Sequence, residues 1–192
     1  MVEEYTRVGD KWYYLLHPRP VYIVASGRRD AKAGFMAASW LMPLSEEPPR
    51  IVAALEKTSH TTSLVLDTGA FTVNVYGIGD RDFVYTSGTI SGRKHDKVSL
   101  LNVRLNYDTV TGAPRIVHPR PLGFIDSRVY RVVGDVADDV YLVIGDVVGA
   151  YADKALFNER YGWDLRKVRI LMHAAGRAFT SNSGVFVARK LA

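Results

Sequence analysis

The sequence predicts a mainly β fold, a closed antiparallel barrel carrying one or two short helices. Three observations carry that expectation. Runs of β-branched and aromatic residues recur along the chain, the turns between them are short, and few segments bear helix start and stop signals. Regular alternation of strands with long helices, which would imply a doubly wound sheet, is missing from the pattern.

Arg19-Pro20 opens the first run, Val21-Tyr22-Ile23-Val24-Ala25-Ser26, and Gly27-Arg28-Arg29-Asp30 closes it as a turn. Gly34 to Leu44 is mostly apolar and ends at Pro43 and the Ser45-Glu46-Glu47-Pro48-Pro49 turn; Arg50 to Glu56 follows as its expected antiparallel neighbour. From Ser59 to Asp67, Leu64-Val65-Leu66 stand behind a Ser/Thr cluster and before Gly69, the pattern of a short helix with an N-cap and a C-terminal glycine. Phe71-Thr72-Val73-Asn74-Val75 alternates apolar and polar residues, so a strand with one wet face is expected.

Asp80 to Asn106 is a long excursion of Gly, Ser and charged residues with a short helix around Asp96 to Leu101, and excursions of this length often carry function. Prolines and glycines make Tyr107 to Pro121 an irregular cover. Ser127 to Val136 and Val140 to Tyr151 are long β runs hinged at Ala137-Asp138-Asp139, a hairpin. Asp153 to Lys167 reads as a loop with at most a short helix, and Val168 to His173 and Val185 to Ala188 as terminal strands. With no repeat or linker to divide it, the 192-residue chain is expected to be one domain over 1–192.

Composition narrows the chemistry. The chain has no cysteine, which excludes disulfides, thiolate-bound zinc, iron–sulfur clusters and a thiol nucleophile. An excess of 25 Lys+Arg over 20 Asp+Glu favours anionic ligands such as nucleotides. No apolar run approaches the roughly 20 residues of a membrane span, and Met1-Val2-Glu3-Glu4-Tyr5 lacks the basic-then-apolar order of a signal peptide. A soluble, cytoplasmic protein without a membrane partner is expected.

Two stretches suggest a bound flavin mononucleotide (FMN). In Met36-Ala37-Ala38-Ser39-Trp40 the small Ala37 and Ala38 let backbone approach a flat ring, with Ser39 able to add a hydroxyl. About 20 residues later, Thr58-Ser59-His60-Thr61 opens the expected helix, where unpaired N–H groups, the helix dipole and hydroxyl donors favour a phosphate dianion. Both stretches also have plain structural explanations, tight packing for the first and ordinary capping for the second.

These pieces, with Arg19-Pro20-Val21, Pro48-Pro49, Thr68-Gly69-Ala70-Phe71-Thr72-Val73-Asn74-Val75, Ser91-Gly92-Arg93, Asp96-Lys97 and Ile144-Gly145-Asp146-Val147-Val148, resemble the flavin reductase-like, FMN-binding split-barrel family over about residues 19 to 151. The resemblance implies a split β-barrel, a homodimer with FMN near the subunit interface, and NADH or NADPH as electron donor. It implies that Met36 to Trp40 lie against the flavin ring, and that Arg93 and Lys97 supply charge to its phosphate or pyrimidine edge, where a cation stabilises the negative charge of reduction. It also suggests His173 and Arg177 as residues of the nicotinamide side. The segment Asp108 to Pro121 and the tail after Gly176 follow no pattern of the family.

The implied activity is hydride transfer from NAD(P)H to flavin N5 and onward to free flavin, ferric iron, another small acceptor or a partner oxygenase. The alternative is an FMN-binding electron carrier without efficient NAD(P)H turnover; a related barrel holding a deazaflavin or haem is a third reading. Other chemistries find little support. Gly88-Thr89-Ile90-Ser91-Gly92-Arg93-Lys94-His95 departs from a P-loop in glycine spacing and in lacking Ser or Thr after the lysine. No Gly-x-Gly-x-x-Gly fingerprint or Gly-x-Ser-x-Gly elbow occurs, and the five histidines have no metal-ligand spacing. No metal is expected, and dispersed basic residues argue against nucleic acid.

Overall fold

In the computed structural model, which describes residues 5–185, seven strands form one antiparallel sheet. They are β1 (Tyr22–Gly27), β2 (Ala33–Ala38), β3 (Leu41–Ser45), β4 (Arg50–Glu56), β5 (Ala70–Val75), β6 (Gly123–Val133) and β7 (Val140–Ala152). Their spatial order is β2-β1-β5-β6-β7-β4-β3. The two edge strands, β2 and β3, are therefore consecutive in sequence and joined only by Ser39 and Trp40.

That short link shapes the molecule. Seven strands laid flat at about 4.8 Å spacing would hold their edges roughly 29 Å apart, whereas three virtual bonds from Ala38 to Leu41 reach at most about 11 Å. The sheet must curl until its edges nearly meet, and the result is a split barrel. The expected single strand over Gly34 to Leu44 is thus two strands: β2 pairs with β1, and only β3 pairs with β4.

Curling gives the sheet an inner and an outer face, both covered. Val24, Met36, Leu55, Phe71 and Val143 fill the inside together with Val65. Ile23, Phe35, Tyr76, Val84, Ile116 and Leu171 form a second core outside. From Val21 into β1 the alternation is plain, Val21, Ile23 and Ala25 facing out and Val24 facing in.

Helix α1 (His60–Thr68) packs on β1 and β2 and sends Val65 into the inner core. It ends where sequence predicts, at Gly69 with φ +66, whose N–H donates to the Val65 carbonyl at 3.0 Å. Two helices lie in the long excursion: α2 (Arg81–Thr89), which the sequence does not announce, and the expected short α3 (Lys97–Leu100). Asp96 caps α3 through the Val98 and Ser99 N–H groups.

Other differences follow, the first of them caused by cover from residues distant in sequence. The expected irregular cover contains a strand, Arg115–His118, paired with Arg104–Asn106. It lies near β5 and makes the expected wet face dry: Thr72 and Asn74 are both fully buried. Asp153 to Lys167 holds a small hairpin of Phe157–Asn158 with Gly162–Trp163 and no helix. The strand expected over Val168 to His173 begins only at Met172: it is Met172–Ala175, which pairs with Arg19–Pro20 and with Ala178–Thr180; the expected strand at Val185 to Ala188 lies, after Val185, outside the described residues. Among the described residues no helix is long and apolar enough to cross a membrane.

Candidate functional site

A cleft of about 560 Å³ opens between β2, the start of α1 and the C-terminal end of α2, within the range of small-molecule sites. It gathers Met36, Ala37, Ala38, Ser39 and Trp40 with Thr58, Ser59, His60 and Thr61, and adds Lys97. Ten of the thirteen residues that the sequence nominates thus meet in one place, and each part contributes something different.

From β2 comes backbone. As an edge strand it pairs with β1 on one side only, which leaves N–H and C=O groups on its other side without a strand partner. Ala38 turns into the inner core and Ala37 packs on the outer one. Ala37 is small for a reason the sequence does not reveal: a Cβ on Gly88 of α2 would stand 3.2 Å from its own, so the pair lets α2 close on β2. Trp40 is fixed at the end of the cleft by its carbonyl, which accepts from Ala54 N–H at 2.8 Å.

From α1 comes an uncapped helix start. Ser59 occupies the N-cap position, yet its hydroxyl donates to Met36 Sδ at 2.9 Å, and among the described residues no side chain caps the first turn. Thr58 donates instead to Glu56. The N–H groups of that turn, which have no intrahelical acceptor, therefore begin the helix at the cleft with the positive end of its dipole. Because Ser59 is not a working cap, Ser59→Ala is expected to change stability by less than about 0.5 kcal/mol in urea unfolding, against about 1 kcal/mol for removal of an engaged serine cap.

From α3 comes a cation. Lys97 is 5% exposed, donates from Nζ to the Ser87 carbonyl at 2.8 Å, and lies 5.2 Å from the centre of the Phe35 ring. No carboxylate pairs with it among the described residues. Burial pushes its pKa down to about 8. His60 is held below its ordinary value as well, by burial and then by Arg93, Lys32 and Lys97.

Arg93 stands just outside the cleft, its Nε donating to the Thr58 carbonyl at 3.0 Å, and so ties the Ser91–Lys97 loop to the approach of α1. His173 and Arg177 are elsewhere. The His173 ring lies 5.3 Å from those of His17 and Phe179, and Arg177 is exposed with its guanidinium 5.6 Å from the Tyr85 ring. Aromatic contacts connect the His173 region to the cleft, since Tyr13 packs against both His17 and Trp40. Sequence reasoning misses Ser87 to Ile90, which line the cleft beside β2; their signal is the run of small and hydroxyl residues Thr86-Ser87-Gly88-Thr89. Lys57, beside the nominated stretch, serves the scaffold: its Nζ donates to the Gly134 and Ala137 carbonyls of the β6–β7 turn.

An unpaired strand edge, an uncapped helix start and a buried unpaired ammonium together suit a flat polar ring with an anionic tail. A metal centre lacks such means: among the described residues no three His, Asp or Glu side chains are grouped to hold one.

The sequence matches the flavin reductase like domain over residues 14–180, and the chain belongs to that family. It is a flavin-related redox protein with the split-barrel fold. The Escherichia coli protein YddH is 27% identical over 169 residues, 88% of this chain and 88% of its own length. Flavoredoxin from Methanosarcina acetivorans has the same fold, with a TM-score of 0.83 at 20% identity over 96% of this chain and 95% of its own. An FMN-binding protein from Thermus thermophilus matches with a TM-score of 0.81 at 19% identity over 98% of this chain and all 100% of its own.

Proposed function

We propose that the protein is an FMN-dependent NAD(P)H oxidoreductase that passes electrons to a small-molecule acceptor or a partner oxygenase. The uncapped start of α1 beside the buried cation of Lys97 is the observation that carries this reading. FMN would supply a ring that accepts hydride and releases electrons. The chain's work is then positional. The free edge of β2 meets the ring's polar rim, the first turn of α1 with Thr58, Ser59, His60 and Thr61 holds the phosphate, and Lys97 sets positive charge in the cleft. Trp40, 46% exposed, flanks the opening.

A homodimer belongs to the same reading. Trp40, Met42 and Leu44 stand exposed along and beside the edge strand β3, an arrangement that a second copy would cover. The electron-carrier alternative draws support from the position of His173 and Arg177, neither of which borders the cleft.

One experiment separates these readings. The flavin-free protein is expected to bind FMN in a spectroscopic titration, and the visible flavin band is then expected to bleach under anaerobic NADH or NADPH. Binding without bleaching selects the carrier; no binding overturns the FMN reading itself.

A further inference from the structure

The curled sheet is packed at one end and open at the other. Toward α1 its interior is filled, Val65 and Phe71 being among the residues that close it. At the far end, where Tyr22 of β1 pairs with Val75 of β5 and Val75 with Gly123 of β6, a cavity of about 670 Å³ continues that interior. It shares no residue with the cleft. A barrel of about eight strands is just wide enough for side chains to fill it or for one small ligand to occupy it. Here the small residues Gly123, Ala150 and Ala152 line the mouth and leave it open.

The walls are apolar and rich in flat rings. Ile51, Val73, Val75 and Ile125 form the inner part, and two ring pairs stand around it. Phe124 stacks on Tyr151 with centroids 4.7 Å apart and planes at 19°, and Phe157 meets Trp163 edge-on at 5.2 Å. Phe157 and Trp163 belong to the small hairpin after β7, and the Trp163 ring passes 3.3 Å from where a Cβ on Gly123 would stand.

Polar groups are few. The cavity has one lining cation and one lining anion, Lys154 and Glu159, both exposed and neither in a salt bridge among the described residues, so its charge is balanced. Tyr22 brings a phenol to the apolar wall. It is half-buried, its hydroxyl has no hydrogen-bond partner among the described residues, and burial alone pushes its pKa up.

A phenol in such surroundings gains from a ligand that offers it an acceptor, ring walls favour a flat ligand, and balanced charge favours a neutral one. We propose that the open end of the barrel is a binding site for an uncharged, flat aromatic molecule whose single hydrogen-bond acceptor meets the Tyr22 hydroxyl. Nothing in this site depends on what the cleft holds.

Equilibrium dialysis with naphthalene and quinoline tests it. The two probes share one shape, and quinoline adds a ring nitrogen that accepts a hydrogen bond and is uncharged at neutral pH. Both are expected to bind the native protein, with or without saturating FMN. Tyr22→Phe removes one oxygen and is expected to weaken quinoline about threefold to tenfold and naphthalene less than about twofold, the size of a single hydrogen bond. Ala150→Trp, at an exposed lining position, is expected to fill the cavity and abolish binding of both at an unchanged sedimentation coefficient. Circular dichroism checks its fold, and the Tyr22→Phe result stands by itself if that variant does not fold.

Failure of both probes to bind would overturn the proposal, as would equal effects of Tyr22→Phe on the two. Probes displaced by FMN and indifferent to Ala150→Trp would lie in the cleft instead. A change of oligomeric state in Ala150→Trp would make a second copy of the chain the occupant of the mouth, and the small-molecule site would fall.

Discussion

Replacing Lys97 by methionine is expected to stabilise the flavin-free protein and to weaken its hold on FMN, two changes that ordinary core damage does not combine. The ammonium is buried against Phe35 with only the Ser87 carbonyl as partner. A pKa of about 8 against about 10.4 for free lysine means that charging Lys97 costs the fold on the order of 3 kcal/mol. Methionine removes that cost but leaves the Ser87 carbonyl unpaired, which returns roughly 1 kcal/mol. The net gain is on the order of 1 to 2 kcal/mol, read as a higher urea midpoint at unchanged slope.

Binding moves the other way. A charged contact to an anionic ligand is worth roughly 1.5 to 3 kcal/mol, so FMN affinity should fall about tenfold to a hundredfold. A variant that binds FMN as the native protein does would remove Lys97 from the site. One that is simply less stable would show the lysine to be a structural strut.

The same residue fixes a pH dependence. Because the folded pKa lies below the unfolded one, the unfolded chain binds the extra proton between about pH 8 and pH 10. Flavin-free stability should therefore rise with pH across that window. FMN affinity should fall over it by up to about tenfold per pH unit, because the bound anion requires the proton that free Lys97 is losing. Both slopes should flatten in Lys97→Met.

What the sequence reveals follows the range of the interactions involved. Helix α1 and the β6–β7 hairpin are legible because their signals are local, Ser59 and Gly69 bracketing the helix and Ala137-Asp138-Asp139 forming the turn. Helix α2 is hard to read because it carries Thr86, Gly88 and Thr89, poor helix formers, in its second half. Nothing local marks Ser39-Trp40 as the place where the chain leaves one sheet edge for the other; closure of the sheet imposes it.

The site divides the same way. Met36 to Trp40, Thr58 to Thr61 and Lys97 are short motifs that fold beside one another. Ser59 is the instructive exception, placed correctly as N-cap but donating to Met36, a partner that only tertiary packing supplies. His173 and Arg177 come from the end of the chain, and their positions depend on strand pairing with Arg19–Pro20.

Asn74 offers the second large effect. Its position in an alternating strand makes it look solvated, yet it is fully buried. Its amide nitrogen donates to the Ile23 carbonyl at 3.1 Å and the Thr72 hydroxyl oxygen at 3.0 Å, while its oxygen accepts the Ile116 N–H at 3.1 Å. One side chain therefore bonds strand β1 on one side and the covering Arg115–His118 strand on the other. Asn74→Ala would strand the Ile116 N–H in a dry interior and open a small cavity, for a loss of about 2 to 4 kcal/mol. For a chain of this size the melting midpoint should drop by roughly 5 to 15 °C.

Asn74→Asp distinguishes this network from simple volume. It keeps the shape and the acceptor but buries a carboxylate, whose folded pKa must rise above its unfolded value. Such a group binds more protons folded than unfolded, so the Asp variant should recover stability as pH falls from 7 toward 4. The native protein has Asn there and no proton to gain from it. Equal stability of the Ala, Asp and native proteins at pH 7 would mean that position 74 is wet after all and that the outer strand does not seal the barrel.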